Sequence, residues 1–155
     1  ALAQLEHLEH KVEQRKVVAN MFIDAVSDCD YIVPQHTPSG YSNSYFTLGL
    51  LFNGRERGIT WEDFREKYVS FGGDGFYGAW SVPYLEPVMQ QRTFAKRCPE
   101  IYKNVSYQQG LCPVAEHIQP RIMQFKTNYR DIDLADRKAK ALKNTIDFFN
   151  KTKEL

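Results

Sequence analysis

An α+β domain is predicted by three features of the sequence. Apolar residues recur at helical spacing near both ends of the chain. Two short runs between them read as strands, and Gly and Pro punctuate the rest at short intervals. The predicted order is helix, strand, helix, extended aromatic segment, short helix, strand, helix. Folded as one domain over residues 1–155, this gives a sheet of three or four strands with helices packed on one face.

Residues 2–27 read as a single long helix. Leu5, Leu8, Val12, Val18, Phe22 and Ala25 fall at three- and four-residue steps, with Glu, Lys and Arg between them and no Gly or Pro. No capping residue precedes Leu2, so the helix is expected to continue a longer chain. Pro34, Pro38 and Gly40 mark a short extended segment and a turn. "SNSYFTLGLLF", residues 42–52, is rich in residues that suit a pleated surface and reads as a strand. "NGRERG" is a turn. Thr60 caps the next helix, with Asp63 three residues on. That helix carries Trp61, Phe64 and Tyr68 on one face and stops at Gly72.

"FYGAWSVPY" then runs extended, with Phe76, Gly78, Trp80 and Val82 alternating against Tyr77, Ala79 and Ser81. "PVMQQRTFAKR" is a short helix or turn, and residues 95–110 read as irregular. Pro113 opens a helix that Pro120 ends. "RIMQFKT" is the second strand. The last helix is capped by Asp131 or Asp133 and buries Leu134, Leu142, Ile146 and Phe149 on one face.

The chain has 155 residues, 43% of them hydrophobic, which suffices for one core. Twenty Lys and Arg balance nineteen Asp and Glu, a net charge of +1, which excludes the basic footprint of a nucleic-acid binder. No apolar run is long enough to span a membrane, and the polar N-terminal segment is not a signal peptide. Cys29, Cys98 and Cys112 form no disulfide framework, so reduced thiols and a cytoplasmic location are expected.

The densest stretch is "GGDGFYGAWSVPYLEP", residues 72–87. Its glycines do not make a phosphate loop, because that device needs a strand before it and a helix after it. Its rings serve either a core strand or the wall of a ligand site. Tyr and Trp present flat apolar faces with polar tips, which suit sugar rings. Glu86 adds a carboxylate able to accept hydrogen bonds from hydroxyls. Other constellations fall short. His7 and His10 lie one helical turn apart without a third metal ligand. Cys112 and His117, five apart on a helix, do not form a nucleophile–base pair.

Three segments together resemble the C-terminal part of the DegT/StrS family of pyridoxal-phosphate (PLP)-dependent sugar aminotransferases. They are "ALAQLEHLEHKVEQRKVVANMF", the helix–glycine–extended unit from Thr60 to Pro87, and "CPVAEHIQPRIMQFKTNYRDIDLADRKAKALKNTIDFF". The second departs from the family's His-Tyr-Pro and Pro-Leu-His. It has Ala79-Trp80-Ser81-Val82-Pro83-Tyr84 and Leu85-Glu86-Pro87 instead.

The resemblance implies the small C-terminal domain of a fold-type-I aminotransferase. Such an enzyme transfers an amino group from glutamate or glutamine to a keto-sugar or nucleotide-sugar in surface-polysaccharide biosynthesis, as a homodimer. The large N-terminal domain, which carries the Schiff-base lysine and binds PLP, is not in this chain. No catalytic, cofactor or metal residue is therefore expected here, and the isolated chain is expected to be inactive. Tyr77, Trp80, Tyr84 and Glu86 would shape one wall of the sugar pocket. The alternatives are a non-catalytic sugar-binding or assembly module, or one chain of a split aminotransferase.

Overall fold

The computed structural model describes residues 2–152. The chain forms two compact units. One holds the chain up to Tyr77 and again from Met123, and the other is Gly78–Ile122.

The first unit is built on a three-stranded sheet of order β1 (Ile32–Pro34), β2 (Leu48–Phe52), β3 (Ile122–Phe125). β1 and β2 are antiparallel, with Ile32 opposite Phe52 and Pro34 opposite Leu50. Leu48, Leu50, Phe52, Met123 and Phe125 are fully buried, whereas Val33 is exposed and Gly49 and Leu51 are half-buried. The period of two thus gives the sheet one covered face and one open face, as expected for an α+β domain.

The covered face meets helices. Phe22 of α2 (Leu8–Ala25) packs on Phe125, and Phe64 of α3 (Trp61–Ser70) packs on Phe52, with ring centroids 5.4 and 5.2 Å apart. Phe149 of α7 (Ile132–Thr152) stacks on Phe64 at 5.7 Å. α7 also buries Ala135, Ala139, Leu142 and Ile146, so alanine supplies much of its inner face and lets it lie close to its neighbours.

Both predicted caps of this unit have a physical basis in the structure. The Asp63 N–H donates to the Thr60 hydroxyl at 3.0 Å. Asp131 is the cap of α7, its carboxylate accepting from the N–H groups of Asp133 and Leu134.

Three expectations are corrected. The long N-terminal helix breaks at Glu6–His7 into α1 (Leu2–Leu5) and α2. Leu2 and Leu5 are 72% and 64% exposed. Tertiary packing stabilises most protein helices, and Leu2, Gln4 and Leu5 of that first turn are all exposed. The strand predicted from residue 42 begins only at Leu48. Tyr45 has a positive φ of 46°, and its N–H is taken by the Asn43 side chain. The extended aromatic segment forms no strand among the described residues, and Tyr77 makes an isolated bridge to Gln124. Its expected alternation fails, since Trp80 is exposed on the face assigned to buried Phe76 and Val82.

The second unit carries three short α-helices, α4 (Pro87–Gln90), α5 (Pro99–Tyr102) and α6 (Pro113–Ile118), and 3₁₀ turns cover Pro83–Leu85, Thr93–Arg97 and Gln119–Arg121. Proline opens each of the three α-helices, where its missing N–H costs nothing.

Candidate functional site

The stretch from Gly72 to Glu86 starts at the end of α3. Gly72 N–H donates to the Val69 carbonyl and Gly73 N–H to the Tyr68 carbonyl, both at 2.9 Å. This is a Schellman end, and it requires the left-handed φ of 93° that Gly72 adopts. Gly73 is needed for space: a Cβ there would lie 2.4 Å from the Tyr68 ring.

The turn delivers Asp74 to α7. Lys138 Nζ lies 2.6 Å from the Asp74 carboxylate, and the Tyr129 hydroxyl donates to it at 2.8 Å. Lys138 also donates to the Gly72 carbonyl at 2.8 Å. Burial acts to raise the Asp74 carboxyl, but the hydrogen bonds from Lys138 and Tyr129 outweigh it and hold the group below its usual range. Burial, then the bond to Asp74, pushes the Tyr129 hydroxyl up. Asp74 therefore fastens the turn to α7; it does not open a phosphate cradle.

Phe76 follows and is fully buried. Arg65 Nε holds its carbonyl at 2.9 Å, and its ring lies 4.8 Å from Trp61 and 5.1 Å from Phe125. Tyr77 is the next residue. Its backbone exchanges two hydrogen bonds with Gln124, at 3.1 and 2.8 Å, while its ring is 70% exposed. The first unit thus grips Tyr77 by its main chain and leaves its aromatic face free.

In the second unit, Trp80 is 93% exposed. Tyr84 is half-buried and committed. Its hydroxyl donates to the Glu116 carboxylate and accepts from the Cys112 N–H at 2.9 Å. The Glu116 carboxylate also accepts from the Gly110 N–H at 2.7 Å. Desolvation and the bond to Glu116 push the Tyr84 hydroxyl up to about 12. The same bond, with that from Gly110, holds the Glu116 carboxyl below its usual range. Gln90 closes the node by donating to the Tyr84 and Tyr107 carbonyls at 2.6 and 2.5 Å.

Glu86 is exposed, and its carboxylate makes no hydrogen bond among the described residues. Its carbonyl accepts from Met89 and Gln90 at the start of α4. No hydrogen bond or ring contact joins the side chains of Trp80, Tyr84 and Glu86. Of the four expected wall residues, then, Tyr77, Trp80 and Glu86 present free side chains, and Tyr84 organises its own unit.

Two groups escaped the sequence reading. Glu116 lies 32 residues from Tyr84, and Lys138 lies 64 residues from Asp74, so no local spacing signals either pair. Among the described residues, no group of three or more His, Cys, Asp or Glu is placed to hold a metal ion. No described helix is long and apolar enough to cross a membrane.

Holding PLP requires a lysine free to form a Schiff base, with a carboxylate for the ring nitrogen and a phosphate cradle. Lys138 has a side chain only 17% exposed, but it is committed to Asp74 and Gly72. Lys143 and Lys140 pair with aspartates, and Lys67 lies over the Phe148 ring at 4.0 Å. These four lysines are engaged by aspartates or by a ring rather than standing free for a Schiff base. No protein-family model matches the chain, and no curated protein shows significant similarity to it.

Proposed function

We propose that this chain is the substrate-side C-terminal domain of a PLP-dependent sugar aminotransferase. Its substrate would be a keto-sugar or nucleotide-sugar, with glutamate or glutamine as amino donor. The observation that carries this reading is the pairing of fixed backbone with free rings. Tyr77 is held to the sheet by two backbone hydrogen bonds, and Tyr77 and Trp80 both leave their rings to solvent. A large exposed ring contributes little to stability, and a sugar face is the kind of surface such rings recognise.

In this reading a second, larger domain supplies PLP, and a homodimer completes the enzyme. The exposed Leu2, Leu5 and Leu8 offer apolar surface of the kind that interfaces cover. The chemistry of amino transfer belongs to the bound PLP. The contribution of this chain is to bind and orient the sugar, with Trp80 and the carboxylate of Glu86 presented by the second unit.

The test uses the product of the full gene, supplied with PLP, glutamate or glutamine, and a panel of nucleotide-linked keto-sugars. Amino-sugar formation is read by mass spectrometry. Tyr77→Ala and Trp80→Ala are expected to raise KM several-fold with kcat little changed, the signature of uniform binding. Absence of amination across the panel would sink the reading. Sugar binding without amination would favour the alternative, a non-catalytic sugar-binding module.

A further inference from the structure

We infer that a cleft between α2 and the loop entering α7 is an anion site that takes a phosphoryl or diphosphate group. The cleft belongs wholly to the first unit and has a volume of about 220 Å³. Its charged lining is Lys11, Arg15 and Arg130, joined by the polar side chains of Gln14, Thr127 and Asn128. No carboxylate lines it, and none forms an ion pair with those three cations among the described residues. On α7, by contrast, Lys138, Lys140 and Lys143 all pair with aspartates. The inference is independent of the aminotransferase reading.

The walls are held in place before any ligand arrives. Gln14 Nε2 donates to the Arg130 carbonyl at 3.3 Å, tying the loop to α2. Arg15 Nη1 donates to the Phe46 carbonyl at 2.8 Å, and its guanidinium lies 5.4 Å from the Phe46 ring centroid. Thr127, fully buried, donates to the Tyr45 carbonyl at 2.6 Å. These bonds fix the Arg15 fork while leaving most of its five donors unused.

Three uncompensated cations in a concavity focus positive potential. A single carboxylate would neutralise one of them, whereas a phosphoryl dianion or a diphosphate neutralises two or three. Guanidinium geometry also matches phosphate oxygens two at a time. The volume lies below the ~300–1,000 Å³ usual for organic ligands, which suits a small anionic group.

The experiment is calorimetric titration of the chain with inorganic phosphate, pyrophosphate and a nucleoside diphosphate, at low and at 0.5 M salt. Saturable binding of at least one is expected, weakening as salt rises. Tighter binding of the nucleoside diphosphate assigns the site to an organic phosphate, and tighter binding of the inorganic anions assigns it to a free one. Arg130→Ala and Lys11→Gln should each weaken binding by about tenfold, the scale of one charge-assisted hydrogen bond. Lys140→Gln, which alters a cation outside the cleft, should not. Circular dichroism identifies any variant that fails to fold, and Arg130→Lys, which keeps the charge, should then retain binding. No saturable binding to the wild-type chain would overturn the proposal. So would equal weakening in Lys140→Gln and Arg130→Ala.

Discussion

At the scale of single residues, exposure and partners separate what a side chain offers from what it holds. Trp80 is 93% exposed. Trp80→Ala should therefore leave unfolding free energy within about 0.5 kcal/mol of wild type, whereas a core Trp would cost about 3–5 kcal/mol. Chemical denaturation of the two proteins decides it. Asp74 is the opposite case. Its folded carboxyl is held below the unfolded value of ~3.9. The stability it contributes is present above that value and is lost as pH falls through the folded one. Asp74→Asn should cost about 1 kcal/mol at pH 7, after allowance for its partial exposure. The variant should also lose less stability than wild type between pH 5 and pH 2. Equal acid slopes in the two proteins would show that the Lys138 and Tyr129 bonds contribute nothing there. The residue types of the candidate wall were legible because rings and glycines crowd one stretch. The commitment of Tyr84 to Glu116 was not, because it joins residues distant in the chain.

At the scale of elements, the sequence disclosed what is local. The Thr60 cap, the Gly72 stop and the start of α7 each depend on side chains or φ values within four residues. Thr60→Ala and Asp131→Ala should each cost about 1 kcal/mol, read as a fall in melting temperature. An unchanged melting temperature in both would show that water replaces the caps without loss. Elements decided by tertiary context were read less well. The N-terminal pattern continues helical through Leu8, yet the chain breaks at Glu6–His7, where Leu2 and Leu5 on one side are exposed rather than buried. The strand expected over residues 42–52 is half irregular because a positive φ at Tyr45 turns the chain away from the ladder. The aromatic segment beyond Tyr77 has β-propensity, but propensity reflects fit to a pleated, half-buried surface, and the segment's bridge to the sheet is the isolated one from Tyr77 to Gln124.

At the scale of the whole molecule, the two units differ in what holds them. The first owns the sheet, the three long helices and nearly all of the buried side chains. In the second, Val82 is the one buried residue of Gly78–Ile122, while Trp80, Ile101, Leu111 and Val114 stand exposed. Its order rests instead on polar bonds such as Tyr84 to Glu116, Gln119 Nε2 to the Ala79 carbonyl at 2.8 Å, and Arg92 to the Val105 carbonyl. A hydrogen bond contributes a net ~0.5–1.5 kcal/mol, and exposed ones exchange readily with water. Regions with few buried apolar contacts open locally at a small fraction of the global free energy. Native-state hydrogen exchange should therefore find amides of α4, α5 and α6 exchanging far faster than those of α2, α3 and α7. Glu116→Gln should speed exchange further in Gly78–Ile122 and leave the first unit unaffected, because the charged acceptor of Tyr84 and Gly110 is weakened within one unit only. Matching protection in both units would mean that buried apolar area does not govern opening here. The polar node around Tyr84 would then have to carry far more stability than its few hydrogen bonds account for.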